Sequence, residues 1–593
     1  MPQKILAKSP FRGQEVTLSE HTASVYKSAV CLFGTVDQMT DLAQKWLRFF
    51  QLDRKDFKKF FTHLYLACLL HDIGKANNGF QAALRRQGEQ TIRHEHLSGL
   101  LLFKEPLREW LLYSEIDVEI IISAVISHHL KVNNRSFAKR LTSNIDCFRV
   151  YTEAPEFLAC LQMVSIIIGS NVPNLSELNK LWSFKKDVDP WKGPSGDFGQ
   201  SMHQFKRQLR SDEIRRRMLC AVKAGLIAAD SAGSALVREG RSLEGWIKGC
   251  FESEPLTPDW IDKKIIQARI LEIEKKTGKA FQWHDFQTGT RQLEHRALLL
   301  SGCGTGKTLA AWNWVKSQVR HHPSRRVLFL YPTRGTATEG FRDYVSWAGG
   351  EEGTLLHGTA SYDLEGLFEN PEDARQGKDY LIQERLFALA YWPKRVFSAT
   401  VDSFLAFIRN QYASLCLLPV LVDSIVVIDE IHSFDPSMFT ALENFLKFFD
   451  LPVLCMTASL PPDRLETLQN SCGLEVFPRT KEAFSDLKKQ AELPRYQIIS
   501  IAENQVLKLV KKLVSEDKTI RILWVVNKVR RCQEKSDVLM KDRSISADIY
   551  CYHSRFRLSD RRERHNDVIK AFQTKKRSKA VRYLRQSRRL ENT

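Results

Sequence analysis

Two sets of residues in this 593-residue chain have the types and spacing needed for chemistry on phosphates. The first is Ser301-Gly302-Cys303-Gly304-Thr305-Gly306-Lys307-Thr308, which follows the apolar run 297–300 and precedes the helical pattern LAAWNWVKSQV. Small residues let backbone N–H groups wrap a phosphate at a helix N-terminus. Gly304, Thr305 and Gly306 supply that loop, Lys307 is placed for the β- and γ-phosphates, and Thr308 for Mg²⁺. Ser301 stands where the generic pattern has its first glycine, so the plain expression fails by one residue. A chance Gly-rich turn is the plain alternative. Asp429-Glu430-Ile431-His432 closes a β-branched run, 424–428. An acid pair at a strand end suits a Mg²⁺ ligand, Asp429, and a group that orients or deprotonates the attacking water, Glu430.

The second set is rich in histidine. His71-Asp72 sits late in a helical run and is followed by Ile73-Gly74-Lys75. His21 lies upstream; His94 follows in Arg93-His94-Glu95; His128-His129 ends another apolar helix; Asp230 lies in GLIAADSAGSA. Spread over several helices, such residues can converge on one or two divalent metals. Imidazole and carboxylate suit Mn, Fe, Co, Ni or Zn. Such a centre can generate a metal hydroxide and clamp a phosphodiester for in-line attack. Each element alone has a simpler explanation. A single His on an apolar helix is commonly a satisfied core residue, and His128-His129 could be cations at a helix C-terminus. His63 and His96 are read as core.

Residues 1–255 read as a helical domain, with apolar residues at helical spacing in 60–74 and 118–130. Within it, 183–199 is rich in Pro, Gly, Asp and Lys and reads as an inserted loop. ESEPLTPDW marks a boundary. From 265 to 490, RALLLSG, RRVLFLYPT, SIVVIDE and LPVLCMTAS alternate with helical stretches. That is the pattern of buried parallel strands whose C-terminal ends carry the active loops. The polar stretch 349–378 reads as a long surface excursion. A second α/β set, 491–573, opens with strands at 520–527 and 547–553. Residues 574–593 form a basic tail.

The chain carries 88 Lys+Arg against 69 Asp+Glu, a net charge of +19, which suits a polyanionic partner. Residues 574–593 alone contribute +7 of it. A hydrophobic content of 43% excludes global disorder. No run of 18 apolar residues occurs, so no membrane-spanning helix is expected. The N-terminus lacks an apolar signal core. Twelve cysteines without a CxxC pair argue against a zinc ribbon and a disulfide framework, and for a reducing cytoplasm.

The motifs fall in a known order. Phe286-Gln287, SGCGTGKT, Tyr331-Pro332-Thr333-Arg334, Ser398-Ala399-Thr400-Val401-Asp402, DEIH and Thr457-Ala458-Ser459 resemble the blocks of superfamily 2 helicases. The resemblance implies an adenine-reading Gln287, backbone contacts to a single strand from Thr333, Arg334 and Thr400, and coupling of hydrolysis to movement through Thr457 and Ser459. The order H…HD…H…HH…D resembles the HD phosphohydrolase superfamily. Together, with HDIGKA, RHEHLSG, VFSATVDSFL, VVIDEIHSFD and TASLP, the chain resembles the CRISPR-associated helicase–nucleases of type I systems over about residues 15–565. That resemblance implies a multidomain protein. An all-α HD domain is followed by a RecA-like lobe (265–490) and a partial second lobe (491–573). It implies ATP with Mg²⁺ as one cofactor and Mn²⁺, Co²⁺, Ni²⁺ or Fe²⁺ in the HD site. The implied metal ligands are His21, His71, Asp72, His94, His128, His129 and Asp230. His71, Asp72, Lys75 and Glu430 are the implied catalytic residues, with Lys75 neutralising phosphate. The implied partners are single-stranded DNA and an RNA-guided surveillance complex, with no membrane.

Val526-Asn527 and His553-Ser554-Arg555-Phe556 resemble the first blocks of lobe two. After Gln573 the family's pattern breaks. The block carrying Gln-Arg and Gly-Arg, which supplies charge to the transferring phosphate, is not found. An arginine of that kind is worth roughly 10³–10⁵ in rate in other nucleotide hydrolases. Slow ATP turnover by this polypeptide is therefore expected, and family-like DNA-stimulated turnover would refute it. The basic tail reads as an interrupted-gene end or as a DNA-touching extension. Two further readings stay open: an HD phosphohydrolase of nucleotides with a regulatory ATPase module, and a non-catalytic binding product.

Overall fold

The computed structural model describes residues 4–11, 14–113, 116–129, 137–142, 145–192, 196–235, 242–302, 304–348, 353–356, 389–479, 499–517, 519–573 and 581–585. The chain divides into two compact units, Met1–Glu492 and Leu493–Thr593.

In the first unit, the N-terminal part is helical because apolar residues line one face of each segment. The helices Leu18–Phe33, Arg54–Leu70, Val118–Ile126 and Glu213–Ala235 pack around Val25, Leu32, Leu64, Leu69, Ile122 and Ile227, all buried. Two antiparallel ribbons accompany them: β1 (Leu6–Phe11) with β2 (Gln14–Thr17), and β3 (Cys147–Arg149) with β4 (Leu181–Ser183). The expected loop at 183–199 is instead β4's last residue, then helical turns Phe184–Val188, Asp189–Lys192 and Asp197–Ser211. Pro190 sits in the first turn of its helix, where a missing N–H costs nothing. Phe184 and Val188 are buried and hold the segment down.

The rest of this unit is a seven-stranded parallel sheet in the order β11-β5-β10-β9-β6-β8-β7. Its strands are β5 (Arg296–Leu300), β6 (Arg326–Tyr331), β7 (Gly353–Leu356), β8 (Val396–Thr400), β9 (Ser424–Ile428), β10 (Val453–Thr457) and β11 (Glu475–Phe477). Strands β6, β9 and β10 are buried along their whole length, as expected for a sheet covered on both faces. Residues 353–356, expected within a surface excursion, are the edge strand β7. The remainder of 349–378 lies outside the described residues.

The helical part is seated on this lobe through a buried ion cluster. Asp423, 0% exposed, accepts from Lys45 Nζ (2.6 Å) and Arg326 Nη1 (2.5 Å) and lies 3.5 Å from Arg325 Nη1. Asp41 pairs with both Lys45 and Arg325. Around it, Phe49 stacks on Phe449 at 4.7 Å and Trp246 on Trp392 at 5.4 Å.

The second unit holds helices Glu503–Glu516, Val529–Lys541 and Leu558–Gln573 and a parallel pair, β12 (Arg521–Val525) with β13 (Val581–Arg585). Two expectations change here. Residues 547–553 are irregular, with Tyr550 and Tyr552 exposed; among the described residues no strand pairs with them. The basic tail contains β13, whose register with β12 runs from Arg521–Val581 to Val525–Arg585.

A candidate metal centre and a candidate ATP site

A capping box starts the helix Leu18–Phe33: the Thr17 hydroxyl accepts from Glu20 N–H, and the Glu20 carboxylate accepts from Thr17 N–H. This puts His21 on the first turn, 2% exposed. His71 caps the C-terminus of Arg54–Leu70, and Asp72 begins the turn Ile73–Lys75. That turn lies against the next helix, His94–Phe103, because residue 74 is glycine. A Cβ there would stand 2.2 Å from the His94 carbonyl, and the Gly74 N–H donates to Ser98 Oγ. His128 and His129 follow Val118–Ile126, and Asp230 lies on Glu213–Ala235.

All seven residues expected as ligands come together, in two groups. Asp72, His94, His128 and His129 each offer a ligand atom within 4.8 Å of the others, and so do His21, His71 and Asp230. Asp72 joins the groups. Its Oδ2 lies 2.9 Å from His21 Nε2, 3.2 Å from His71 Nε2 and 2.6 Å from Lys75 Nζ; its Oδ1 lies 3.2 Å from His94 Nε2. Backbone carbonyls set two of the rings. His71 Nδ1 donates to Cys68 O (2.8 Å) and His128 Nδ1 to Val125 O (2.6 Å), so both Nε2 atoms face the cluster.

Burial pushes the His21 imidazole down to about 3 and His128 to about 4, so both are neutral, the form that ligates metal. Burial opposes ionisation of Asp72 too, but His71 and Lys75 hold its carboxyl well below the usual range. Burial likewise works against charging His71, yet the Asp72 carboxylate raises it. His71 Nε2, Asp72 Oδ1, His94 Nε2 and His128 Nε2 are buried without a hydrogen bond. Ring lone pairs facing a carboxylate across about 3 Å need a proton or a cation between them. The donor set therefore fits divalent cations.

The phosphate loop joins β5 to the helix Lys307–His321. Gly304 and Gly306 have φ of 78° and 91°, a region that favours glycine. Ser301 in the first glycine position is explained by its hydroxyl, which bonds Thr305 Oγ1 at 2.5 Å, while Thr305 donates to Gly302 O. Gln287 is 2% exposed and braces the loop, accepting from His284 N–H and donating to Gly306 O. Its second N–H and second lone pair are the ones left for a base. Thr308 lies in the first turn of the helix, and Cys303 lies outside the described residues.

Lys307 Nζ is buried without a hydrogen bond, 3.8 Å from Asp429 Oδ1 and 3.5 Å from Glu430 Oε1. A buried ammonium without a hydrogen bond, at the start of the helix that follows the glycine loop, fits a polyphosphate. Burial raises the Asp429 carboxyl, and the neighbouring Glu430 charge adds to it. Glu430 has φ of 56°, a left-handed conformation that costs a non-glycine residue about 1–3 kcal/mol and clusters at functional sites. His432 Nδ1 lies 3.1 Å from Thr457 Oγ1, whose hydroxyl donates to Ser459 O, which links the DEIH box to the TAS block. Sequence reasoning missed Tyr344, whose hydroxyl donates to Asp429 Oδ2 (3.0 Å). It belongs to no motif, and only the fold brings it there.

The fold and these two sites define an HD-type metal phosphohydrolase domain joined to an α/β ATPase lobe of the helicase kind. Family models agree: "Cas3, HD domain" matches residues 7–169, "DEAD/DEAH box helicase" 286–468, and "CRISPR-associated nuclease/helicase Cas3, C-terminal" 518–587. The last reaches beyond Gln573, where the recognisable motifs stop, and includes β13. A putative CRISPR-associated nuclease/helicase Cas3 of Myxococcus xanthus is 33% identical over 97% of this chain and 74% of its own length. The CRISPR-associated nuclease/helicase Cas3 of Methanothermobacter thermautotrophicus is 23% identical over 88% of this chain and 64% of its own length. Among solved structures, T. fusca Cas3 with AMPPNP has a TM-score of 0.53 at 18% identity, covering 98% of this chain and 69% of that one. A chain of a "CRISPR RNA-guided surveillance complex, pre-nicking" has 0.51 at 17%, covering 98% and 67%. These structures share the fold. The chain belongs to the CRISPR-associated nuclease/helicase Cas3 family, and it joins an HD nuclease domain to a DEAD/DEAH-type helicase lobe.

Proposed function

We propose that this chain cuts single-stranded DNA at the His/Asp centre, fed by ATP-driven movement of its helicase lobe and recruited by an RNA-guided surveillance complex in the cytoplasm. The observation that carries the reading is the convergence of seven His/Asp ligand atoms, four of them buried without hydrogen bonds, in the same compact unit as a vacant-handed Lys307 beside Asp429 and Glu430. Divalent metal at the HD site supplies Lewis acidity and an activated water. His21, His71 and Asp230 would hold one cation and Asp72, His94, His128 and His129 another, with Asp72 lying beside both groups. Lys75, paired to Asp72 at 2.6 Å, stands ready to neutralise a phosphate oxygen. At the other site Lys307 and the glycine loop hold the ATP phosphates, Thr308 and Asp429 its Mg²⁺, and Glu430 orients water. Among the described residues no helix is long and apolar enough to cross a membrane.

The test is cutting of single-stranded DNA, duplex DNA and small nucleotides with added Mn²⁺, Co²⁺, Ni²⁺ or Fe²⁺, and with chelator. Single-strand cutting abolished by chelator is expected. Turnover of small nucleotides alone would favour a nucleotide phosphohydrolase and overturn the proposal. Lys307→Ala removes a charge-assisted phosphate contact worth about 1.5–3 kcal/mol, so ATP affinity should fall by about 10–100-fold. Metal-dependent cutting of single strands without ATP should be unchanged in that variant, because the HD ligands all precede residue 231. A nucleotide-binding titration alongside the cutting assay reads both.

A further inference from the structure

His71 and His128 reach free carbonyls because both lie at helix C-terminal ends, where the last carbonyls lack intrahelical partners. His94 has no such option. It opens the helix His94–Phe103, and a helix N-terminus presents N–H groups, not carbonyls. The group facing its outer nitrogen is instead a side-chain carboxylate, at ion-pair distance. His94 Nδ1 lies 3.5 Å from Glu95 Oε2, while His94 Nε2 lies 3.2 Å from Asp72 Oδ1. Glu95 is 1% exposed, and its other oxygen, Oε1, accepts from Arg93 Nε. A buried carboxylate is uncommon unless its charge has partners, and here one partner is Arg93 and the other is the ring.

The geometry points to Glu95 as a positioning residue of the metal centre. It holds His94 with Nδ1–H turned outward and Nε2 toward Asp72, and so tunes the affinity of the Asp72/His94/His128/His129 position for a divalent cation. The inference rests on reading these residues as metal ligands. Carboxylates behind ligand histidines fix the tautomer and raise ligand basicity, and losing one typically weakens metal binding 10–100-fold. The second position, His21/His71/Asp230, has no contact with Glu95 among those described and should not respond. The two positions thereby acquire unequal affinities from one side chain that touches neither cation.

The experiment is a Mn²⁺ titration of the full 593-residue chain, with free Mn²⁺ read by electron paramagnetic resonance, for wild type, Glu95→Gln and Glu95→Ala. Thermal unfolding without metal is measured for each. The expected result is one class of Mn²⁺ site weakened about 10–100-fold in Glu95→Ala, less in Glu95→Gln, whose carbonyl oxygen keeps a polar group beside Nδ1, and the other class unchanged. Wild-type binding in Glu95→Ala overturns the inference alone. Equal weakening of both classes with a lowered unfolding temperature in both variants also overturns it, since that is the mark of a scaffold residue. A wild-type chain that binds no Mn²⁺ removes the metal-centre reading, and this inference with it.

Discussion

Asp72→Asn is expected to abolish metal-dependent cutting while leaving ATP binding at Lys307 in place. Asp72 stands between the two ligand groups, within 3.2 Å of His21, His71 and His94. Losing a residue behind a ligand already costs 10–100-fold in metal affinity or activity; losing a carboxylate common to both positions should cost more than about 100-fold. The amide keeps the shape, so packing is not the variable. It also leaves Lys75 without the carboxylate 2.6 Å away. Cutting of single-stranded DNA with added Mn²⁺, measured beside nucleotide binding, checks the prediction. A variant that cuts at wild-type rate would remove Asp72 from the centre.

The second large effect is on stability. In Asp423→Ala, Lys45 and Arg326, both buried, lose the carboxylate that bonds each of them at 2.5–2.6 Å. Lys45 and Arg325 retain Asp41, and Arg326 retains the Cys250 and Trp392 carbonyls, so hydrogen bonding survives in part. The counter-charge of Arg326 does not survive. Breaking a buried pair by removing one partner costs about 3–5 kcal/mol, because it strands a cation out of water. Urea unfolding of Asp423→Ala should register that loss. A change under about 1 kcal/mol would mean that water enters the cluster. The nearby Asp429 should still bind Mg²⁺–ATP in whatever fraction is folded, since it sits at the opposite end of β9.

The seven His/Asp residues that converge and the phosphate-loop pattern were legible in the sequence because chemistry restricts residue type. Only a few side chains ligate metals, and only small residues wrap phosphates. His21 and Asp230 are 209 positions apart, yet their order along the chain with HD and HH between them was enough. What supports these residues was not legible. Glu95 looks like any acid in a helix's first turn, and Tyr344 like any core aromatic. Asp423 meets Lys45 across 378 positions, and nothing local marks either. The strand β13 was hidden by its arginines, since Val581-Arg582-Tyr583-Leu584-Arg585 reads as charge before it reads as a strand. Residues 547–553 erred the other way: β-branched and aromatic composition suggested a strand, but a strand needs a neighbour's backbone. The 183–199 stretch misled because Pro and Gly were weighed above Phe184 and Val188.

The separation between Lys45 and Asp423 has a consequence for synthesis. Chains emerge from the ribosome at about 5–20 residues per second, so roughly 20–75 seconds pass between the two. During that interval every helix bearing one of the seven clustered His/Asp residues is finished, but the surface around Lys45 and Phe49 has no lobe to sit on. Nascent protein therefore presents a sticky, half-charged flank, and whatever shields it in the cell acts before residue 423 appears.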